Sequence, residues 1–192
     1  KLVGAVDDLG LRKKTIILFT GDNGTPFRST IRVEGKKYIR DPVFSVYKGK
    51  RVQGGKTKLT NGGTNVPLIA SWPGTIEPGG VVDDLVDFSD YLPTLAELTA
   101  AKLPAGVTLD GKSFASRLTG DKPALRTWAY AEAPRNRYWV RTQRWKLYND
   151  GRWFDMQNDE FEKKPLKSEQ LPKSADDAKR LLTGAMKQVG GF

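Results

Sequence analysis

The chain has 192 residues, 32 Lys or Arg against 22 Asp or Glu, a formal net charge of +10, and neither Cys nor His. The length suffices for one sizeable core. The composition excludes disulfides, and no apolar run is long enough to span a bilayer.

Lys1 to Leu11 predicts an amphipathic helix ending near Gly10, with Leu2, Val6 and Leu9 at helical spacing. The apolar run Thr15-Ile16-Ile17-Leu18-Phe19 predicts a buried strand, covered on both faces as in a parallel sheet. Thr20-Gly21-Asp22-Asn23-Gly24 follows directly. Open α/β sheets build their sites outside the carboxyl ends of such strands. Asp and Asn offer hard oxygen ligands, which suit Ca²⁺ or Mg²⁺ better than Zn²⁺. Asp-Asn-Gly is also an ordinary turn sequence.

Residues 25–53 form a long basic insertion. The stretch 31–40 alternates around Glu34-Gly35 as a hairpin would, and 43–47 predicts another strand with a turn at Lys48-Gly49-Lys50. Then comes Gly54-Gly55-Lys56-Thr57-Lys58-Leu59-Thr60-Asn61-Gly62-Gly63. A lysine among glycines suits an anion, because backbone N–H groups and an ammonium can converge on it. A flexible, solvated loop is the plainer reading. Asn65 to Gly74 predicts a short buried strand closed by Trp72-Pro73-Gly74.

Asp87 and Asp90 read as helix caps, with Pro93 in the first turn. Leu92, Leu95, Ala96 and Leu98 would face a core, and Lys102 to Gly106 would stop the helix. Beyond Thr127, four aromatic-rich segments are separated by turns at Pro134-Arg135-Asn136 and Asn149-Asp150-Gly151. They predict an antiparallel meander of three or four strands with one buried and one solvated face. A last helix is expected through about Gln188, with Ser174 as its N-cap and Ala178, Leu181, Leu182 and Met186 as its apolar stripe.

Charge is unevenly spread. Residues 1–60 hold 14 Lys/Arg against 5 Asp/Glu, a net of +9, residues 61–130 a net of −3 and residues 131–192 a net of +4. The positive excess surrounds the Asp-Asn pair, where it would draw in anions. It serves equally as a solubilising surface. No helix-turn-helix, zinc-finger or RNA-binding signature is present, so nucleic acid is not an expected partner.

Taken together, these segments resemble the sulfatase family of the alkaline-phosphatase-like superfamily. The pattern is a strand, then Asp22-Asn23-Gly24, then Gly55-Lys56 followed six residues later by Gly62-Gly63, then a strand ending at Trp72-Pro73-Gly74. Asp87 to Leu95, Leu109 to Phe114, and Trp153 to Met156 with Asn158, Asp159, Glu160 and Glu162 behind it fit further family segments. The resemblance implies an α/β fold: the C-terminal part of the sulfatase architecture, with part of a large mixed sheet over residues 1–125. A small antiparallel sheet packed on a helix is expected over 126–192.

The resemblance also implies a function, the hydrolysis of sulfate esters to alcohol and inorganic sulfate. Asp22 and Asn23 would ligate Ca²⁺ (Mg²⁺ being the alternative). Lys56 would be catalytic, contacting the sulfate and steadying charge at the leaving oxygen. Arg28 and Arg32, in the insertion near the site mouth, would help select a sulfated small molecule or glycan. Lys58 lies off the motif, and Asn65 falls where many relatives have Arg. The family nucleophile is a formylglycine made from a Cys or Ser in a Cys-x-Pro-x-Arg motif, which these residues lack. The expected partner is therefore an N-terminal remainder of the same protein, without which the chain would be inactive. Two other readings stay open: a phosphodiester or phosphonate hydrolase of the same superfamily, and a non-catalytic module for anionic glycans. Family members are frequently periplasmic, secreted or lysosomal.

Overall fold

A computed structural model describes residues 1–120, 122–123 and 125–190. In chain order its elements are α1 (Leu2–Asp8), β1 (Ile17–Thr20), β2 (Arg28–Glu34), β3 (Lys37–Pro42), β4 (Phe44–Tyr47), β5 (Lys50–Gln53) and α2 (Asn61–Thr64). There follow β6 (Leu68–Ser71), α3 (Tyr91–Thr99), α4 (Ala115–Thr119), β7 (Ala129–Ala133), β8 (Arg137–Arg141), β9 (Trp145–Tyr148), β10 (Trp153–Asp155) and α5 (Asp176–Val189). They divide into two compact units interleaved in sequence. Unit 1 holds residues 1–19 and 68–129, and unit 2 holds 20–67 and 130–192.

In unit 1, β1 pairs with β6 as a two-stranded sheet. The Trp72 indole N–H donates to the Lys13 carbonyl at 2.9 Å, and the Arg12 guanidinium donates to the Ser71 hydroxyl at 2.5 Å. These bonds tie the end of β6 to the turn before β1. Neither strand is buried as the apolar runs predict. Phe19 is 60% and Ile69 57% exposed, because two strands cannot cover each other's faces. The core of this unit lies instead around α3 and α4, on Ala96, Thr94, Phe114 and Ala115.

Asp87 caps a short 3₁₀ turn (Phe88–Asp90) in a capping box with Asp90, whereas Asp90, at the N-cap of α3, makes no side-chain capping bond to that helix. Asp90 itself is 1% exposed and ion-paired to Arg126. On α3 the expected stripe shifts. Leu92 and Leu95 are exposed, while Thr94 and Ala96 are buried. The Thr94 hydroxyl donates to the Asp90 carbonyl at 2.6 Å and accepts from the Phe114 N–H at 3.0 Å, so a polar anchor takes the inward face. The helix stops at Ala100, which has φ 54, before the Lys102–Gly106 stretch is reached.

In unit 2, β2 pairs with β3 and β4 with β5, as two separate antiparallel ribbons. The four C-terminal strands form one sheet in the order β10-β9-β8-β7, and α5 packs on β8 and β9. The meander is as predicted, except that β9 has no solvated face: all four of its residues are buried. Trp139, Val140, Trp153, Phe154, Leu182 and Ala185 complete this core. Ser174 does not cap α5. A 3₁₀ turn (Lys173–Ala175) leads into the helix, and Asp176 and Asp177 supply the favourable first-turn charge. The buried stripe of α5 runs through Leu182 and Ala185, and Leu181 lies at its exposed edge.

Candidate functional site

Asp22 and Asn23 follow β1 and are exposed. The Asn23 backbone N–H donates to Asp22 Oδ1 and its side-chain amide to Asp22 Oδ2, both at 3.0 Å. Both donors of one residue thus hold the neighbouring carboxylate in place.

Backbone joins this turn to the lysine loop. The Gly24 N–H donates to the Gly63 carbonyl at 3.0 Å, and the Lys56 N–H donates to the Thr25 carbonyl at 3.0 Å. The approach is so close that a Cβ on Gly24 would stand 1.9 Å from the Gly62 carbonyl oxygen, and one on Gly63 2.0 Å from that of Lys58. Glycine is required here because main chain lies against main chain. The Gly-rich stretch is therefore a close-packed block, with Gly54, Gly55 and Gly63 buried, rather than a solvated loop. The Lys56 side chain is exposed on it.

Arg28 and Arg32 lie on β2, which is exposed along its whole length. Arg32 is ion-paired to Glu34 at 2.7 Å, whereas Arg28 stands opposite Pro42 across the ribbon. The second ribbon is fastened near the turn. The Thr25 and Ser45 hydroxyls meet at 2.9 Å, Lys48 pairs with Glu160 at 3.0 Å, and Tyr47 meets Phe161 edge-on at 6.4 Å between centroids. A cavity of about 220 Å³ lies between them, bordered by Asn23, Tyr47, Asn65 and Phe161.

Asp22 and Asn23 carry two adjacent hard oxygen groups, a donor set that fits Ca²⁺ or Mg²⁺ in kind and fills part of a shell of about 6–8 oxygens. Among the described residues no three His, Cys, Asp or Glu side chains group to hold a metal ion.

Sequence reasoning overlooks a buried network beneath the lysine loop. Lys146 and Glu162 form an ion pair at 2.9 Å, with side chains 0% and 2% exposed. Arg141 donates to the Asn61 side-chain oxygen at 3.0 Å. Lys146 sits in Trp145-Lys146-Leu147-Tyr148, where alternation suggests an outward lysine. The available signal was Glu162, fixed within the terminal family segment.

Burial lowers the Lys146 pKa from 10.5 to about 8. Glu162 opposes that shift and Arg141 adds to it. Between those two pH values the unfolded chain holds a proton that the folded chain has released, so this group makes stability rise with pH across that window. Carbon-13 NMR of the Lys146 Cε is expected to titrate near pH 8, and lower still in Glu162→Gln. Titration at the ordinary lysine value in both proteins would contradict this account.

The architecture defines an α/β protein of the alkaline-phosphatase-like fold. A Bacteroides thetaiotaomicron chain described with the metabolism of multiple glycosaminoglycans superposes on it with a TM-score of 0.69 at 19% identity, covering 100% of this chain and 42% of that one. A structure in complex with its substrate D-glucosamine-2-N,6-O-disulfate gives a TM-score of 0.65 at 21% identity, covering 98% and 36%. The sulfatase profile matches residues 1–101, and that of the N-sulphoglucosamine sulphohydrolase C-terminal region matches 55–183. The chain belongs to the sulfatase family. It is 36% identical over 152 residues to arylsulfatase A of Homo sapiens, covering 77% of this chain and 27% of that protein. It is 31% identical over 121 residues to steryl-sulfatase of Mus musculus, covering 63% and 18%. The chain thus spans about a quarter or less of the length of these relatives.

Proposed function

We propose that this chain supplies one part of the active centre of a sulfate-ester hydrolase. Asp22 and Asn23 are two ligands of a Ca²⁺ ion, with Mg²⁺ as the alternative. When bound, the cation supplies fixed positive charge to the sulfate oxygens. Lys56 donates to the sulfate and steadies negative charge as it gathers on the departing oxygen. Arg28, with no ion pair among the described residues, and Arg32, shared with Glu34, attract the anionic substrate from the neighbouring ribbon. The nucleophile, expected to be formylglycine, comes from a segment outside these residues. The substrate is a sulfated small molecule or glycan.

The observation that carries this reading is the backbone union of the two motifs. Through the bonds of Gly24 to Gly63 and of Lys56 to Thr25, the ligand pair and the lysine belong to one close-packed, hydrogen-bonded block. Preorganised charge of this kind acts without reorganisation cost at the moment of reaction. The matched family profiles favour a sulfatase over a phosphodiester or phosphonate hydrolase.

Titration calorimetry with Ca²⁺ tests the assignment. Weak binding, on the order of 10⁻³ M for so partial a shell, is expected in the parent and none in Asp22→Ala/Asn23→Ala. Affinity for a heparin-like chain that survives in that variant, with no Ca²⁺ binding by the parent, would support the anionic-glycan module instead.

A further inference from the structure

Lys146, Tyr148 and Glu162 have no role in the metal and sulfate contacts proposed above, yet Lys146 and Glu162 are the most deeply buried ion pair among the described residues of unit 2. Desolvating such a pair is costly, and a well-packed apolar pair of like volume is often as stable. What the pair holds is therefore informative. The Leu59 carbonyl accepts from the Trp139 indole N–H at 2.7 Å and from Lys146 Nζ at 2.9 Å, with the Tyr148 hydroxyl oxygen 3.2 Å away. A carbonyl oxygen has two lone pairs, so these two donors fill its acceptor capacity, and the single Tyr148 proton goes to Glu162. Glu162 Oε1 accepts from Lys146 Nζ at 2.9 Å and from the Asn61 backbone N–H at 2.8 Å. Its other oxygen accepts from the Tyr148 hydroxyl.

Leu59 and Asn61 follow Lys56 closely in the same loop. At its other end the loop is fixed by the Lys56 N–H on the Thr25 carbonyl, and it is closed by the Lys58 N–H on the Gly55 carbonyl at 2.9 Å. Between these anchors Thr57 has φ 73, a left-handed conformation that a β-branched residue keeps only when its surroundings impose it. The buried pair holds residues 59–61, and the chain following Asp22-Asn23 holds Lys56 and Gly63 by backbone bonds.

We propose that Lys146 and Glu162, assisted by Tyr148, are positioning residues for Lys56: they clamp residues 59–61 so that Lys56 keeps its register to the Asp22-Asn23 turn. The proposal rests on the sulfate-contacting role given to Lys56, and its test separates the two ideas. Residue-resolved amide hydrogen exchange on the 192-residue chain is compared with Lys146→Met/Glu162→Gln and with Tyr148→Phe. The double variant removes both charges together and leaves neither buried alone. The reporters are the amides of Lys56, Lys58 and Gly63, none of which bonds to an altered side chain.

Exchange at these amides is expected to rise by about tenfold in the double variant and severalfold in Tyr148→Phe, with the Val140 and Leu147 amides unchanged. A second arm follows Lys56 by NMR during titration with sodium sulfate. The double variant should weaken binding severalfold, and Lys56→Ala should abolish it. Wild-type loop exchange in both variants overturns the clamp. Faster exchange with unchanged sulfate affinity overturns its link to Lys56. If the double variant does not fold, Tyr148→Phe decides. If the parent binds no sulfate, the role of Lys56 fails, and the exchange arm still judges the clamp.

Discussion

Asp90→Ala is expected to lower the unfolding free energy by about 3–5 kcal/mol, the cost of removing one partner from a buried ion pair. Asp90 is 1% exposed, and its carboxylate accepts four donors. Oδ1 takes the Lys112 N–H at 2.6 Å and a guanidinium N–H of Arg126, and Oδ2 takes the Asp87 N–H at 2.8 Å and Arg126 Nε at 2.7 Å. Alanine would strand the Lys112 and Asp87 N–H groups and Arg126 Nε, and would leave a guanidinium whose side chain is only 9% exposed without its paired carboxylate. Asp90→Asn keeps the shape and part of the acceptor capacity, so its loss should be smaller. Urea denaturation followed by tryptophan fluorescence reads both values. A loss below about 1 kcal/mol for Asp90→Ala would mean that the carboxylate is not the organiser of α3 and its neighbours.

The second large effect is expected at Gly24. An alanine there would place Cβ 1.9 Å from the Gly62 carbonyl oxygen and 2.9 Å from the Gly63 Cα. Both are main-chain atoms, so no side chain can swing aside. Overpacking of this kind costs about 1–3 kcal/mol and more where the backbone must part. The upper end is expected, together with loss of Ca²⁺ binding at the Asp22-Asn23 turn. Gly184→Ala is the matched control. It lies within α5 and its added Cβ meets nothing within 4 Å, so it should stabilise the protein by about 0.4–1 kcal/mol. Equal effects at the two positions would refute the close-packing account.

Much of unit 2 was legible because its punctuation is local. Arg135, Asn136 and Gly151 adopt φ 70, 51 and 86, the left-handed values that tight hairpin turns need, and they stand where the turn residues were read. The ribbon turn at Gly35 and the turn at Lys48-Gly49 were legible for the same reason.

Burial was less legible. Ile17 to Phe19 has the composition of a covered strand, but covering depends on strands elsewhere, and among the described residues β1 has only β6 beside it. Leu92 and Leu95 looked inward by spacing, yet the polar Thr94 took the inner face because Asp90 and Phe114 offer it partners. Arg126, 36 residues beyond Asp90, carries no local mark of its pairing.

At the site, the identities of Asp22, Asn23 and Lys56 came from motif spacing, whereas the glycine block that joins them did not. A run of glycines reads as freedom until the neighbouring main chain is seen to fill the space.

The interleaving of the two units has a consequence for synthesis. The Leu59 carbonyl finds its lysine 87 residues later, and the Asn61 N–H finds its glutamate 101 residues later. All of residues 68–129, which belong to the other unit, must emerge in between. At about 5–20 residues per second, the lysine loop waits on the order of 5–20 s on the ribosome for the groups that seat it. Contacts so distant along the chain form late and slow the search for the native state. The Lys56 loop is thus made early and finished late, and during translation it must wait without its buried anchor.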